Sequence, residues 1–201
     1  MIRVLLAEDQ HLVRGALATL LGLEADITVV AEVGRGDEVL PAARRTNPDV
    51  ALLDIEMPGC NGIEAAAVLR REAPACRVVI LPTFGRPGFL RRAMAAGAVG
   101  FLLKDGPASE LACAIRRVVA GDRIVDSELA AAALADGPSP LTPREQEVLQ
   151  AARGGATVAD IASVVHLSQG TTRNHLSMAI QKLGARNHID ALRLAEEKGW
   201  L

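Results

Sequence analysis

Long apolar runs are missing from this sequence of 201 residues, and none of its apolar stretches approaches the roughly 18 residues that a membrane span needs. The N-terminal run MIRVLLAED has acids where a signal peptide would continue apolar. Cysteine is also scarce: Cys60, Cys76 and Cys113 lie far apart, without CxxC spacing or histidine partners, which argues against a zinc site or a disulfide framework. We therefore expect a cytoplasmic protein with no membrane partner.

The first 120 residues repeat one pattern, a short apolar run followed by a turn and then by apolar residues at three- and four-residue spacing. Strands that alternate with helices predict right-handed crossovers and a parallel sheet covered on both faces. We predict an α/β fold, a doubly wound five-stranded parallel sheet, over residues 1–121. The predicted strands are Ile2–Ala7, Ile27–Val33, Val50–Leu53, Val78–Leu81 and Val99–Leu103, and the predicted helices are Leu12–Leu23, Asp37–Arg45, Asn61–Arg71, Gly88–Ala96 and Ala108–Ala120.

The stretch from Ala51 to Gly62, ALLDIEMPGCNG, joins an apolar run to a carboxylate and two turn dipeptides. The run suits a strand that is buried on both faces. Ligands of open parallel sheets collect beyond the carboxyl ends of the strands. Asp54, at the end of the run, is therefore a candidate for chemistry; the alternative is an aspartate that only caps a loop.

Charged side chains also follow two other predicted strands, with Glu8 and Asp9 after the first and Lys104 after the fifth. If the first and third strands are neighbours, these acids share one crevice with Asp54. Three carboxylates in a small space need a counter-charge, and Mg²⁺ suits them because it prefers oxygen ligands. Lys104 could then contact a phosphoryl oxygen. The alternative is a structural ion pair.

The pattern changes after Gly121, and residues 122–140 are predicted to form a linker. Its alanine-rich piece Glu128–Ala135 favours a helix, and DGPSP at 136–140 is typical of a domain boundary. Residues 141–201 are predicted to be a smaller all-α domain. Its first helix begins at TPRE, with a capping threonine, proline at the first helical position and glutamate three residues after the cap. Further helices are predicted after Thr157, from Ser168 to about Leu183, and from Ile189 to Lys198.

The predicted helix from Ser168 has one apolar stripe and one polar face. The polar face carries short side chains that can form hydrogen bonds: Gly170, Asn174, Ser177 and Gln181, with Arg173 on the flank. Between Ser168 and Ile189 there are three Arg or Lys residues and no acid. A local basic surface of this kind is expected of DNA binding. The alternative is a solvated amphipathic helix.

The acid pair Glu8-Asp9, the run DIEMPGCNGIE around Asp54 and the run GFLLKD around Lys104 resemble, in this order and spacing, the flavodoxin-like receiver domain of two-component response regulators. The resemblance implies that Asp54 takes a phosphoryl group from a histidine kinase. It also implies that Glu8, Asp9 and Asp54 bind Mg²⁺, with the backbone carbonyl of Glu56 as a further ligand. The metal and Lys104 would neutralise charge on the transferring group.

One position departs from the pattern of this family, which usually has Thr or Ser at the end of the fourth strand. In the family that hydroxyl bonds the phosphoryl oxygen and draws an aromatic residue inward. Here the position is Pro82, which has neither a hydroxyl nor an N–H, and Thr83 follows it. Either Thr83 substitutes through a shifted backbone, or the switch is weakened or differently wired. Phe101 stands where the switch aromatic is found, and it suits the core equally well.

The runs LTPREQEVL and ADIASVVHLSQGTTRNHLSMAIQKLGARN are similar to the LuxR-type helix-turn-helix domain that ends regulators of the NarL and FixJ class. This resemblance implies that Arg173, Asn174 and Ser177 approach base edges in the major groove of double-stranded DNA. It assigns phosphate-backbone contacts to Ser168, Thr171, His175 and Lys182. With TFGRPG and the final KGWL, the chain looks nearest the subgroup that includes the regulator of a membrane lipid desaturase.

Together the resemblances imply a DNA-binding transcriptional response regulator and not an enzyme. Phosphorylation of Asp54 would control homodimerisation and DNA binding. The alternative is a phosphorylation-independent regulator, which the proline at position 82 favours. A phosphatase with a nucleophilic aspartate would use similar groups, but such enzymes resemble DxDxT patterns, whereas Asp54 is followed by Ile55-Glu56-Met57.

Overall fold

The structure is a computed structural model that describes residues 1–135, 137 and 139–201, with Ala108 and Glu128 as backbone only. The chain divides into two compact units, Met1–Gly85 with Leu90–Ala130 and Arg86–Phe89 with Ala131–Leu201. No helix in the described ranges is both long and apolar enough to cross a membrane.

A parallel sheet of six strands, counted over the described residues, forms the centre of the first unit. The strands are β1 (Ile2–Ala7), β2 (Ile27–Val33), β3 (Val50–Leu53), β4 (Arg77–Ile80), β5 (Gly100–Phe101) and β6 (Ile124–Val125). Their order is β2-β1-β3-β4-β5-β6, and each neighbouring pair is parallel. The chain therefore reverses its direction of travel across the sheet between β1 and β3, which is where ligands bind in open α/β sheets.

Helices cover both faces of this sheet, so most residues of its central strands are buried. All four residues of β3 are buried, as are the last four of β1. Helix α1 (His11–Gly22) contacts α5 (Ala108–Ala120), and α2 (Val39–Thr46) contacts α3 (Gly62–Glu72). One face of the sheet packs into a core of Val4, Leu6, Leu21, Ile27, Val50, Leu52, Val79, Leu81, Ala112, Ile115 and Val118. Continuous burial of this kind explains why the strands read as unbroken apolar runs.

The remaining elements of the first 135 residues are a 3-10 turn at Gly36–Glu38, α4 (Pro87–Ala96) and α6 (Ser127–Ala135). Helix α3 begins with a reciprocal capping box, because the Asn61 side chain accepts a hydrogen bond from the Glu64 N–H at 2.9 Å while the Glu64 carboxylate accepts one from the Asn61 N–H at 3.2 Å. Asn61, the residue before Gly62, is therefore the cap that starts α3 after the loop that follows Asp54.

The predicted α/β fold class is confirmed, but the predicted count of five strands is wrong. The sixth strand, β6, has two residues and pairs with β5 through Gly100↔Ile124 and Phe101↔Val125. A strand this short leaves no periodic pattern, and its existence depends on pairing with β5, which is itself shorter than the predicted Val99–Leu103.

The alanine-rich segment forms α6, as predicted. The predicted boundary at 136–140 includes Asp136 and Pro138, which lie outside the described residues, and the limits of the linker stay predictions.

The second unit is helical. Its elements are α7 (Pro143–Ala151), a 3-10 turn at Arg153–Gly155, α8 (Val158–Val164), α9 (Gln169–Leu183) and α10 (His188–Glu197). Helices α7, α8, α9 and α10 enclose a core of Leu141, Val148, Leu149, Ala152, Ile161, Val165, Leu176, Ala179, Ala191, Ala195 and Leu201. Ser168 caps α9 by accepting a hydrogen bond from the Thr171 N–H at 3.1 Å, and Gly184 ends the helix at φ 63°. The pair α8 and α9 is therefore a helix-turn-helix, with α9 as the longer second helix.

Candidate functional site

Asp54 lies at the carboxyl end of β3, where the chain leaves the sheet. Its backbone N–H donates to the carbonyl of Ala7 at 2.9 Å, so the residues that follow β1 and β3 are neighbours. The residue is only 4% exposed. Its Oδ1 accepts a hydrogen bond from the Ile55 N–H at 2.7 Å and lies 2.8 Å from Nζ of Lys104. The structure thus places the candidate phosphoacceptor in the crevice predicted from the sequence.

Glu8 shares Lys104 with Asp54. Its Oε2 lies 2.6 Å from Nζ of Lys104, and its Oε1 accepts a hydrogen bond from the Gln10 N–H at 3.2 Å. Burial raises the pKa of Glu8, and the nearby charge of Asp54 adds to the effect while the Lys104 hydrogen bond opposes it. For Lys104, burial alone would lower the pKa, but the hydrogen bonds and charges of Asp54 and Glu8 outweigh it and raise the pKa. The two carboxylates of Glu8 and Asp54 therefore carry more negative charge than the single ammonium of Lys104 can balance.

The acidic cluster has the chemistry of a site for a hard cation. One carboxylate oxygen each from Glu8, Asp9 and Asp54 lie within 4.8 Å of one another. Oxygen ligands of this kind are those that Mg²⁺ prefers, and the cluster's excess negative charge favours a divalent ion. The donor set therefore fits the metal that the sequence predicts. Glu56 follows two residues after Asp54 with an exposed side chain, and the use of its carbonyl as a ligand stays a prediction.

Glycine residues hold the loop that follows Asp54 in place. A Cβ added at Gly62 would lie 1.8 Å from the carbonyl oxygen of Asp54, and the Gly62 N–H donates to the Ile55 carbonyl at 3.0 Å. A Cβ added at Gly36 would lie 1.7 Å from the carbonyl oxygen of Cys60. Backbone approaches this close require glycine, so the loop is closely packed at Cys60 and at Gly62, next to the candidate phosphoacceptor.

Arg14 is a site residue that sequence reasoning missed. Its guanidinium donates to the backbone carbonyl of Glu8, contacts the His11 ring and lies 3.9 Å from Glu32, with its side chain 13% exposed. The contact holds the turn that presents the acid pair. One signal was visible in the sequence: an arginine in the first turn of a helix that has no acid there, where the helix dipole disfavours a cation.

The three predicted switch positions have different surroundings in the structure. Pro82 is buried, and its carbonyl accepts the Lys104 N–H at 3.1 Å. Thr83 is exposed, and Phe101 is 1% exposed within the core. Pro82 therefore occupies the end of β4 beside the lysine that contacts Asp54, with no side-chain hydroxyl to offer. Which of the three residues takes part in switching stays a prediction.

The polar face of α9 presents most of the predicted DNA-binding residues to solvent. Ser168, Thr171, Arg173, Asn174 and Ser177 are exposed, and His175 is half-buried. The opposite face is buried at Thr172, whose hydroxyl donates to the Ser168 carbonyl at 3.0 Å. Lys182 is also exposed, but it differs from the others because its ammonium is bonded within the protein, 2.8 Å from Oε2 of the buried Glu145. No sequence pattern indicates this pairing, since the two residues are 37 positions apart.

Comparison with known proteins agrees with the acid crevice and the helix-turn-helix. Residues 4–116 match the response regulator receiver domain, and residues 139–195 match the bacterial regulatory proteins of the luxR family. The chain belongs to the response regulators that join a receiver domain to a LuxR-type DNA-binding domain. Receiver domains bind Mg²⁺ at an acidic pocket, and response regulators are phosphorylated by histidine kinases and bind DNA.

Relatives match the chain along its whole length. It is 48% identical to the uncharacterized transcriptional regulatory protein YvfU of Bacillus subtilis, over 100% of both chains. It is 44% identical to the transcriptional regulatory protein DesR of the same organism, over 100% of this chain and 99% of DesR. Among solved structures, the response regulator ChrA of a heme-sensing two-component system is 33% identical, with a TM-score of 0.60 over 100% of this chain and 98% of ChrA. The predicted family is thus confirmed, and the protein is a transcriptional response regulator.

Proposed function

We propose that a histidine kinase phosphorylates this protein on Asp54 with Mg²⁺ as cofactor, and that phosphorylation controls homodimerisation and DNA binding. The observation that carries the proposal is the crevice itself. Glu8, Asp9 and Asp54 bring carboxylate oxygens within 4.8 Å of one another, and Nζ of Lys104 lies 2.8 Å from Asp54. A nucleophile, a cation site and a point charge for phosphoryl oxygens are thus adjacent.

In the proposed transfer, a carboxylate oxygen of Asp54 forms a bond to phosphorus as the bond between phosphorus and the histidine nitrogen of the kinase breaks. The product is an acyl phosphate on Asp54. Glu8, Asp9 and Asp54 would hold Mg²⁺, which supplies positive charge for the transferring group. Lys104 would turn its ammonium towards a phosphoryl oxygen, and this movement releases the ammonium from one or both of its present carboxylate partners. No substrate turns over, so the protein acts as a regulator and not as an enzyme.

In the helical unit, Arg173, Asn174 and Ser177 are the proposed base-reading residues of α9, and Ser168, Thr171 and His175 are proposed to contact the phosphate backbone. All of them except the half-buried His175 are exposed on the second helix of a helix-turn-helix, which supports these roles. Two copies of α9 would meet half-sites about one DNA turn apart, which is the reason that dimerisation tightens binding.

The test is sedimentation and DNA affinity of the full chain with Mg²⁺, with and without beryllofluoride, a mimic of the phosphoryl group. We expect a mimic-dependent dimer that binds DNA more tightly. The Asp54→Asn variant should lose both responses and should no longer be labelled by a small-molecule phosphodonor. Asp122→Asn, which removes an exposed aspartate paired with Arg117, is the matched control and should respond like the wild type. Labelling of Asp54→Asn at the wild-type level would remove the site assignment.

A second candidate, a phosphorylation-independent DNA-binding regulator, is favoured by one observation. Pro82, at the end of β4, offers no hydroxyl to a phosphoryl group and holds the Lys104 backbone at 3.1 Å. Under this candidate, Asp54 is labelled by the phosphodonor but neither the dimer nor the DNA affinity responds to beryllofluoride. The experiment above therefore separates the two functions.

A further inference from the structure

Lys182 lies in the last turn of α9 and is bonded within the protein. Its Nζ lies 2.9 Å from Oε1 and 2.8 Å from Oε2 of Glu145, so both oxygens of one carboxylate are engaged by one ammonium. Glu145 is 4% exposed and lies in the first turn of α7. The pair therefore joins the start of α7 to the end of α9.

Glu145 is also part of the cap of its own helix. Its Oε2 accepts a hydrogen bond from the Thr142 N–H at 2.8 Å, and its N–H donates to the Thr142 hydroxyl at 3.3 Å. Burial alone would raise the pKa of Glu145, but the hydrogen bonds from Lys182 and Thr142 and the Lys182 charge lower it below its usual value. The carboxylate is therefore ionised and held by two separate elements.

Moving Lys182 to a DNA phosphate would leave that carboxylate buried without its counter-charge. Removing one partner of a buried pair is strongly unfavourable because the remaining charge is uncompensated. Lys182 also lies nine residues after Arg173, which at 1.5 Å per residue is about 13.5 Å further along the helix axis. The N-terminal part of a recognition helix is the part that contacts base edges.

We propose that Lys182 is a positioning residue, which holds the recognition helix α9 against α7 through Glu145, and that it does not bind a DNA phosphate. The proposal rests on the proposed DNA-binding function of the helical unit. It replaces the phosphate contact that the sequence resemblance assigned to Lys182.

The deciding variant is Glu145→Gln, because the two roles predict opposite signs. If Lys182 bound phosphate, Glu145→Gln would free its ammonium, remove a negative charge near the DNA and tighten binding. If the pair positions α9, Glu145→Gln weakens binding although no DNA contact is lost. Glutamine can still form the capping box, so the start of α7 is preserved. We expect about fivefold weaker binding or more, equivalent to about 1 kcal/mol.

Binding is measured by fluorescence anisotropy of the full chain on a duplex that the wild type has selected from a random pool. The temperature is set below the unfolding of every variant, as followed by circular dichroism, so that a loss of stability alone leaves affinity unchanged. Glu147→Gln, which removes an exposed acid on the same helix that is paired with Arg144, is the matched control and should bind like the wild type or slightly more tightly.

Lys182→Met gives a second test, in which Glu145 itself is unchanged. We expect its affinity to fall while the slope of affinity against salt concentration stays at the wild-type value, and Lys182→Arg to recover most of the affinity. Tighter binding by Glu145→Gln would overturn the proposal. So would a Lys182→Met slope reduced by about 0.9, the value for one lost phosphate contact. Failure of the wild type to select any duplex would instead reject the proposed function.

Discussion

Buried charge occurs in both units of this protein, and the two cases differ in how it is balanced. In the crevice at the end of β3, the buried carboxylates of Glu8 and Asp54 share the ammonium of Lys104, the carboxylate of Asp9 lies beside them, and burial raises the pKa of Glu8. In the helical unit, one carboxylate faces one ammonium, and the pKa of Glu145 is lowered. A cluster left with excess negative charge suits a cation, whereas a balanced pair holds two helices together.

The two sites also differ in how tightly their surroundings hold them. The loop that follows Asp54 is held by the close backbone approaches of Gly36 to Cys60 and of Gly62 to Asp54. The polar face of α9, by contrast, consists of exposed side chains on a helix whose other side is buried. We therefore expect substitutions in the crevice to affect folding and chemistry together, and substitutions at the exposed, unpaired polar positions of α9 to affect DNA binding alone.

The largest expected effect comes from Gly62→Ala. The new Cβ would lie 1.8 Å from the carbonyl oxygen of Asp54, so the backbone at Asp54 must move. We expect the free energy of unfolding of the receiver to fall by about 3 kcal/mol, with loss of phosphodonor labelling. Thermal unfolding and labelling check this outcome.

Gly15→Ala is the matched control for Gly62→Ala. A Cβ at Gly15, inside α1, would meet no atom within 4 Å, so we expect the receiver to gain about 1 kcal/mol of stability from the better helix former. Equal behaviour of the two variants would show that the loop behind Asp54 is less rigid than its contacts indicate.

Arg173→Ala should weaken DNA binding by about 1–3 kcal/mol and relax specificity at one base pair, with no change in thermal unfolding. Competition binding with single-base variants of a selected duplex measures both effects. Arg193→Ala is the control, since Arg193 lies on α10 and is bonded to Asp190 and Glu197. An equal loss of affinity on all duplex variants would show that Arg173 contacts a phosphate and does not read a base.

Pro82→Thr should strengthen the response of the DNA affinity to beryllofluoride, by about threefold if one hydrogen bond to the phosphoryl mimic is gained. Thr83→Ala, at the exposed neighbouring position, is the control and should leave the response as in the wild type. The ratio of affinities with and without the mimic is the measured quantity. Loss of the wild-type response in Thr83→Ala would mean that Thr83 supplies the missing hydroxyl.

The smallest expected effect is the pH dependence of the Glu145 pair. The pKa of Glu145 is below its ordinary value of 4.5, so the folded helical unit binds fewer protons there than the unfolded chain. The pair's contribution to stability is complete above pH 4.5 and is lost as the pH falls through the folded pKa. Thermal unfolding of the wild type should therefore converge on that of Glu145→Gln as the solution is acidified below this value. A constant difference between them would show that the carboxylate charge is not what stabilises the pair.

Local sequence determined most of the secondary structure. The bounds of β1, β2, β3 and α5 agree residue by residue with the predictions, because buried parallel strands are unbroken apolar runs and helices show three- and four-residue spacing. Capping residues determined where helices begin, as at Thr142. The order of acids, lysine and turns also sufficed to predict the family and the crevice.

Tertiary structure decided the rest, because it depends on which distant segments meet. The two-residue strand β6 exists only through its pairing with β5, and the need for glycine at position 62 comes from the Asp54 carbonyl beside it. Arg14 became a site residue through its contact with the Glu8 backbone. In the sequence, Lys182 is one more cation on a predicted DNA-binding helix. Only the tertiary structure brings it beside the buried carboxylate of Glu145, 37 residues away. A residue's type and spacing indicate what it can do, and the fold determines which partner it meets.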